Sequence, residues 1–282
     1  MLTIFTVPKP FRGHISLIQK NAIKSWTLLQ PPCEIILFGD EEGVEETAQE
    51  LGLRHIKNIA KNEYGTPLLN DIFTKAHNEA YSEVLCYVNT DIILLQDFIE
   101  AIKIVQTLNE AYLMVGQRWD VDIDIPWDFS REDWQETTCE YLKRHAKIHP
   151  PLGSDYFAFP RGNFESIPPF AVGRAGWDNW MIYNARTNGV PIVDATAITT
   201  VIHQNHDYSH VKQSVGNTYE NPESAKNREM LRGTDRIYTP KDADYILTQN
   251  GLTKAVAPKE ISAIQRIWIF LNRIIAHKTR DS

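Results

Sequence analysis

Cysteine is scarce in this chain. Its 282 residues hold three, Cys33, Cys86 and Cys139, far apart and odd in number. That excludes a disulfide framework, shows no metal-ligand spacing, and fits a reducing compartment. Cys33 and Cys86 lie in apolar, strand-like runs and are expected in the core. Positive charge is also short. The formal net charge is -7, the wrong sign for gripping a nucleic acid backbone, so no nucleic acid partner is expected. No uninterrupted apolar run reaches membrane-spanning length. The opening Leu2-Thr3-Ile4-Phe5-Thr6-Val7 lacks the basic start and cleavage site of a signal peptide, so a cytoplasmic location is expected. There is no internal repeat and no low-complexity tract.

What is there is ordinary globular composition, 43% hydrophobic and 23% charged. The length suits one large domain or two small ones. Residues 2–7 read as a strand ended by Pro8 and Pro10. Helical spacing follows from Leu17 to Leu29, and Pro31-Pro32 stops it. Glu34 to Phe38 is a second strand. Val44, Thr47, Ala48 and Leu51 repeat at helical spacing, with Gly52 as the stop. Leu69, Ile72, Phe73, Ala76 and Ala80 mark another helix, and Phe98 to Val105 the next. Tyr112 to Gly116 is a further strand. Alternating strands and helices imply βαβ units and a mostly parallel sheet.

The centre of this pattern is Val84 to Leu95, an apolar run broken only by Asn89-Thr90-Asp91. Leu85 to Val88 reads as a strand covered on both faces. Positions i and i+2 of an extended segment share a side, so Asn89 and Asp91 can converge on one cation. In open α/β sheets the carboxyl ends of the strands are where ligands bind. A plain strand-end turn is the competing reading.

The second half differs. Asp120 to Trp134 is rich in Asp, Trp and Pro and reads as a functional loop. Ser130 with Asp133 resembles a capping box for a helix through His145. Ser154 to Arg161 is a strand, Trp177 to Arg186 a helix, and Ile192–Asp194 and Ile198–His203 are late strands. Gln213 to Asn227 reads as a surface loop. Tyr245-Ile246-Leu247 is expected in a helix ending at Asn250-Gly251. Residues 261–278 form a basic amphipathic helix. From Leu252 onward six Lys or Arg face two Asp or Glu. Such a helix can lie on an anionic membrane surface or pack on the sheet. Deleting residues 258–282 separates the two. A membrane helix leaves a folded protein that no longer sediments with anionic liposomes, whereas a core helix leaves an aggregating one.

The order of these pieces over residues 1–210 resembles the GT-A-fold glycosyltransferases, which use nucleotide-diphospho-sugars. The expected fold class is α/β, a Rossmann-type mixed sheet flanked by helices, with the amphipathic helix C-terminal. Expected divisions are a nucleotide-binding half over about 1–118, an acceptor half over about 119–215, and an extension over 216–282. Asn89-Thr90-Asp91 stands at the place of that fold's acidic metal motif, with Asn for the first Asp.

The resemblance implies an inverting, divalent-metal-dependent transfer of a sugar, with a UDP-sugar donor favoured and a glycan or lipid-linked acceptor. A diphosphate leaving group is best stabilised by Mn²⁺ or Mg²⁺ on oxygen ligands. Asp91 supplies charge, and Asn89 ligates or holds the ribose. A late histidine ligand is implied, His203 in preference to His206. Asp178 stands where inverting relatives keep their base, with Asp155 as the competing base. Trp177, in place of a preceding acid, and Trp180 are candidate contacts to the substrate sugar. Thr6 and Pro8 lie at the end of the first strand. Asp40 is placed like the acid that bonds uracil or ribose in similar folds, or else caps the next helix. Gly65 lets backbone approach a nucleotide, with Thr66 or Asn70 as polar contacts. The alternatives are a nucleotidyltransferase, for which residues 7–13 are too poor in glycine and basic residues, and a catalytically silent sugar- or nucleotide-binding module.

Overall fold

The computed structural model describes residues 1–108, 111–206, 221–231 and 237–256. The expected basic helix over 261–278 lies outside them. Strands β1 (Leu2–Thr6), β2 (Glu34–Phe38), β3 (Arg54–Ile56) and β4 (Val84–Val88) alternate with helices α1 (Gly13–Thr27), α2 (Val44–Leu51) and α3 (Leu69–Glu79). After β4 the chain turns into β5 (Ile92–Leu94), α4 (Gln96–Val105), β6 (Leu113–Val115) and β7 (Trp119–Val121). Then come α5 (Trp134–His145), β8 (Lys147–Ile148), β9 (Tyr156–Pro160), α6 (Trp177–Thr187), β10 (Ile192–Asp194) and β11 (Val201–Gln204). Helix α7 (Pro222–Leu231) and the hairpin β12 (Tyr245–Thr248) and β13 (Gly251–Lys254) complete the described chain.

The main sheet has nine strands in the order β13-β12-β10-β6-β9-β4-β1-β2-β3. β3, β2, β1 and β4 are parallel, as βαβ units require. β9 runs antiparallel to both β4 and β6. The fold is therefore a mixed α/β sheet covered by helices. β1 and β4 are buried throughout, which explains their unbroken apolar sequence. One apolar layer holds Ile4, Trp26, Cys86 and Phe98, and the other holds Phe5, Phe73, Tyr87 and Trp180.

A second sheet, β5-β11-β7-β8, branches off where the polar Asn89-Thr90-Asp91 interrupts the central run. β5 and β7 flank β11, antiparallel and parallel respectively. This small sheet places Asp91, Asp120 and His203 side by side.

Several expectations are corrected. Tyr245-Ile246-Leu247 is strand rather than helix, because Gln249-Asn250 turns a hairpin that Gly251, at a φ of 96°, follows. β12 pairs with β10, so the main sheet runs past the expected boundary at residue 215. Residues 222–227, expected in a loop, open α7. There Asn227 is fully buried, and its side chain pairs with the Ala171 N–H and C=O. Ser130 does not cap α5. Its side chain bonds Asp128 instead, and the helix begins at Trp134.

Candidate metal and donor site

Antiparallel pairing decides which side chains meet. β9 runs against β4, so its first residues stand beside the carboxyl end of β4, with Val88 opposite Tyr156. Asp155 therefore faces Asn89. The Asn89 N–H donates to the Asp155 carbonyl at 2.9 Å, and its side-chain amide donates to Asp155 Oδ1 at 2.7 Å. At the end of β1, the Thr6 hydroxyl meets the Thr90 hydroxyl at 2.7 Å.

Asp91 begins the crossing to the small sheet. Its carboxylate is almost wholly buried. Oδ2 lies 3.1 Å from His206 Nε2 and 3.5 Å from Lys9 Nζ. Oδ1 is buried and has no hydrogen-bond partner among the described residues. Burial alone would raise its pKa, but Lys9 and the two histidines outweigh burial and hold it far below the usual carboxylate range. Asp91, His203 and His206 each offer one ligand atom, all within 4.8 Å of one another. One carboxylate and two imidazoles suit Mn²⁺ better than Mg²⁺. Oδ1 is an acceptor with no donor among the described residues, so Asp91, His203 and His206 fit a divalent cation.

The Asn89 side-chain N–H donates to Asp155, and among the described residues the group that gathers with Asp91 and His203 is His206. The sequence carried both histidines, and only the path of the chain after β11 separates their roles.

His203 is oriented from behind. In the β7–β11 register it stands opposite Asp120, and His203 Nδ1 lies 3.3 Å from Asp120 Oδ1. The approach is off the line of a hydrogen bond, and Nδ1 is buried with no hydrogen-bond partner among the described residues. Burial lowers the His203 pKa, but Asp120 and Asp91 reverse this and raise it. A cation on a ring nitrogen needs that nitrogen unprotonated, so cation and proton compete for His203. Asp120 also accepts from His149 at 2.5 Å and from Arg118 at 2.9 Å, and Arg118 reaches on to Asp155. Asp120, Arg118 and His149 were not singled out from sequence, since strands of two or three residues carry no period to read. Carboxylates that brace metal-bound histidines typically matter 10- to 100-fold. Asp120→Asn should weaken Mn²⁺ binding by roughly that factor in a calorimetric titration. Unchanged affinity would confine Asp120 to bracing Arg118 and His149.

The two base candidates separate. Both Asp155 oxygens are engaged, one by Asn89 and one by Arg118, which leaves it an anchor. Asp178 lies in the first turn of α6, with Gly176 as the helix N-cap at a φ of 102°. A Cβ there would come within 2.6 Å of Leu231, so glycine sets both the turn and the packing on α7. Burial raises the Asp178 pKa above the ordinary carboxylate value, and the charge of Asp155 adds to it. Backbone N–H groups of Asn179, Asp178 and Ser154 pull the other way.

Trp177 is corrected to a core residue. It is 5% exposed and packs its ring against Tyr87 and Phe157. Trp134 and Trp180 are likewise buried. Asp40 caps no helix, since Gly43 holds that position in α2. It pairs with Lys61 at the exposed carboxyl edge of β2. Pro8 sits beside Lys9 at the end of β1. The Gly65–Thr66 turn is built by Asn62, whose side-chain oxygen accepts from the Tyr64 and Thr66 N–H groups. Glu223 of α7 holds Asn62 and Arg174 together. Asn70 opens α3, with Oδ1 buried and unpartnered among the described residues. Among the described residues no hydrogen bond joins Thr66 or Asn70 to Asp91 or His203.

No protein-family model matches this chain, and no curated protein matches it. Among solved structures, it is similar to glucosyl-3-phosphoglycerate synthase from Mycobacterium tuberculosis in complex with Mg²⁺ and UDP. The TM-score is 0.48 at 12% identity, over 84% of this chain and 79% of that one. The S. aureus protein TarS 1-349 in complex with UDP-GlcNAc aligns with a TM-score of 0.33 at 14% identity, over 43% of this chain and 35% of that one.

Proposed function

We propose that this chain is a nucleotide-sugar glycosyltransferase, divalent-metal dependent and inverting. The observation that supports it most is the Asp91–His203–His206 cluster at the carboxyl edge of the parallel strands, where the two sheets part. Asp91, His203 and His206 would hold Mn²⁺ or Mg²⁺. When bound, the ion supplies Lewis-acid neutralisation of the leaving diphosphate. Asp178 takes the proton of the acceptor hydroxyl, and its raised pKa suits a base. Asp155 and Asn89 fix the floor between these two groups. Thr6, Asp40 and the Gly65–Thr66 turn are proposed to receive the nucleotide, with UDP as the favoured diphosphate. A glycan or lipid-linked acceptor, a cytoplasmic location and a contact of residues 261–278 with an anionic membrane belong to the same proposal.

A thermal-shift screen of nucleoside diphosphates with Mn²⁺ tests it. A ligand at about 100 times its Kd stabilises the native state by about 2.7 kcal/mol. For a chain of this size that is a rise of roughly 5 °C or more. UDP with Mn²⁺ is expected to give it, and UDP with chelator is not. No shift with any nucleoside diphosphate in Mn²⁺ would remove the donor site.

A further inference from the structure

Lys9 is held in place by more than its own side chain. Pro8 and Pro10 flank it and restrict the backbone on either side. Gln19 of α1, 1% exposed, then clamps both of its backbone groups. The Lys9 N–H donates to Gln19 Oε1 at 2.6 Å, and Gln19 Nε2 donates to the Lys9 carbonyl at 2.8 Å. An exposed loop lysine needs no such clamp. Here it aims Nζ at two of the three candidate metal ligands, 3.5 Å from Asp91 Oδ2 and 3.2 Å from His206 Nε2. Those two atoms are themselves 3.1 Å apart. The three make a closed triangle. A divalent cation on Asp91 and His206 needs those atoms at about 2.0–2.2 Å, so it and Nζ cannot share the place.

We propose that Lys9 is a mobile counter-charge. It neutralises Asp91 before the donor arrives, is displaced when the cation binds, and then takes an oxygen of the donor's diphosphate. This rests on the metal-site reading above. A lysine is a compact point charge on a flexible stem, suited to following a phosphate. The Lys9 side chain is about one-third exposed, with room to swing. The clamp on its backbone limits that swing to the stem, so Nζ stays at the carboxyl edge of β1. Asn89 supplies no negative charge, and Asp91 is the one carboxylate of the three-residue cluster found among the described residues. A bound cation and a diphosphate therefore leave the donor's charge incompletely balanced, which a second cationic group relieves.

The two roles have opposite signatures. Removing Lys9 removes a competitor of the cation and a partner of the diphosphate. Calorimetry on the full chain, with Mn²⁺ alone and then with inorganic pyrophosphate in saturating Mn²⁺, reads both without a sugar donor. Lys9→Met keeps the stem and drops the charge. It should bind Mn²⁺ alone at least about threefold more tightly, since a nearby like charge is gone. It should bind pyrophosphate about tenfold or more weakly, the worth of one charged hydrogen bond. Lys9→Gln is the second variant should Met perturb folding. If wild type binds both probes and the variants change neither, or weaken both, Lys9 is an ordinary structural ion pair and the inference falls while the metal site stands. If wild type binds neither probe, the metal-site reading falls and takes this one with it.

Discussion

Asp91→Asn is expected to lower sugar transfer by roughly 10²–10³-fold or more and to abolish Mn²⁺-dependent binding of UDP. Asparagine keeps the size and the oxygen but loses the charge. His203 and His206 then remain as two neutral ligands with no anion to hold a divalent ion. Lys9 also loses its anionic partner, which leaves its ammonium beside the His206 ring. The effect is local, because Asp91 sits where the sheets branch and its backbone carbonyl still accepts from Gln204 N at 3.2 Å. The variant should therefore fold, with strand and helix content unchanged by circular dichroism. Transfer that survives in this variant, or in excess chelator, would show that the cluster holds no catalytic ion.

Asp178→Asn should lose roughly 10²–10⁴-fold in turnover, the usual worth of a general base. It should also melt at a higher temperature at pH 7, and that pairing is the sharper test. The folded-state pKa of Asp178 is raised above its unfolded value. A raised group adds stability below the unfolded carboxylate pKa, near 3.9, and that contribution is lost as pH rises through the folded value. At pH 7 the ionised carboxylate is therefore held at a cost, which Asn removes while keeping an oxygen for the Ser154 and Asn179 N–H groups. The same shift sets the acid limb of the wild-type turnover profile above the ordinary carboxylate pKa. Plain helix capping predicts the reverse, full activity in the Asn variant and no gain in melting temperature. A silent Asp178→Asn with an inactive Asp155→Asn would move the base to Asp155.

The main sheet was legible because its strands are buried on both faces and its helices carry apolar stripes. Leu2–Thr6, Glu34–Phe38 and Val84–Val88 need no partner to be recognised. Asp91 stood out because it interrupts such a run. The small sheet was not legible. β7 and β8 are three and two residues long, and their meaning lies in the register that sets Asp120 opposite His203. Helix α7 has no apolar stripe in Pro-Glu-Ser-Ala-Lys-Asn-Arg-Glu-Met-Leu, because it is held largely by polar locks at Glu223 and Asn227. Tyr245-Ile246-Leu247 is too short to separate helix from strand by period. Lys9 owes its position to Gln19, ten residues on, and no local pattern joins them.

The most direct measurement is UDP release from UDP-sugar donors by the purified chain, followed with Mn²⁺ and again in excess chelator. Slow donor hydrolysis by water, or faster release with an acceptor, is expected in Mn²⁺ and should stop on chelation and in Asp91→Asn. Release that continues unchanged in chelator would contradict the metal site, and none from any donor in Mn²⁺ would leave a silent binding module.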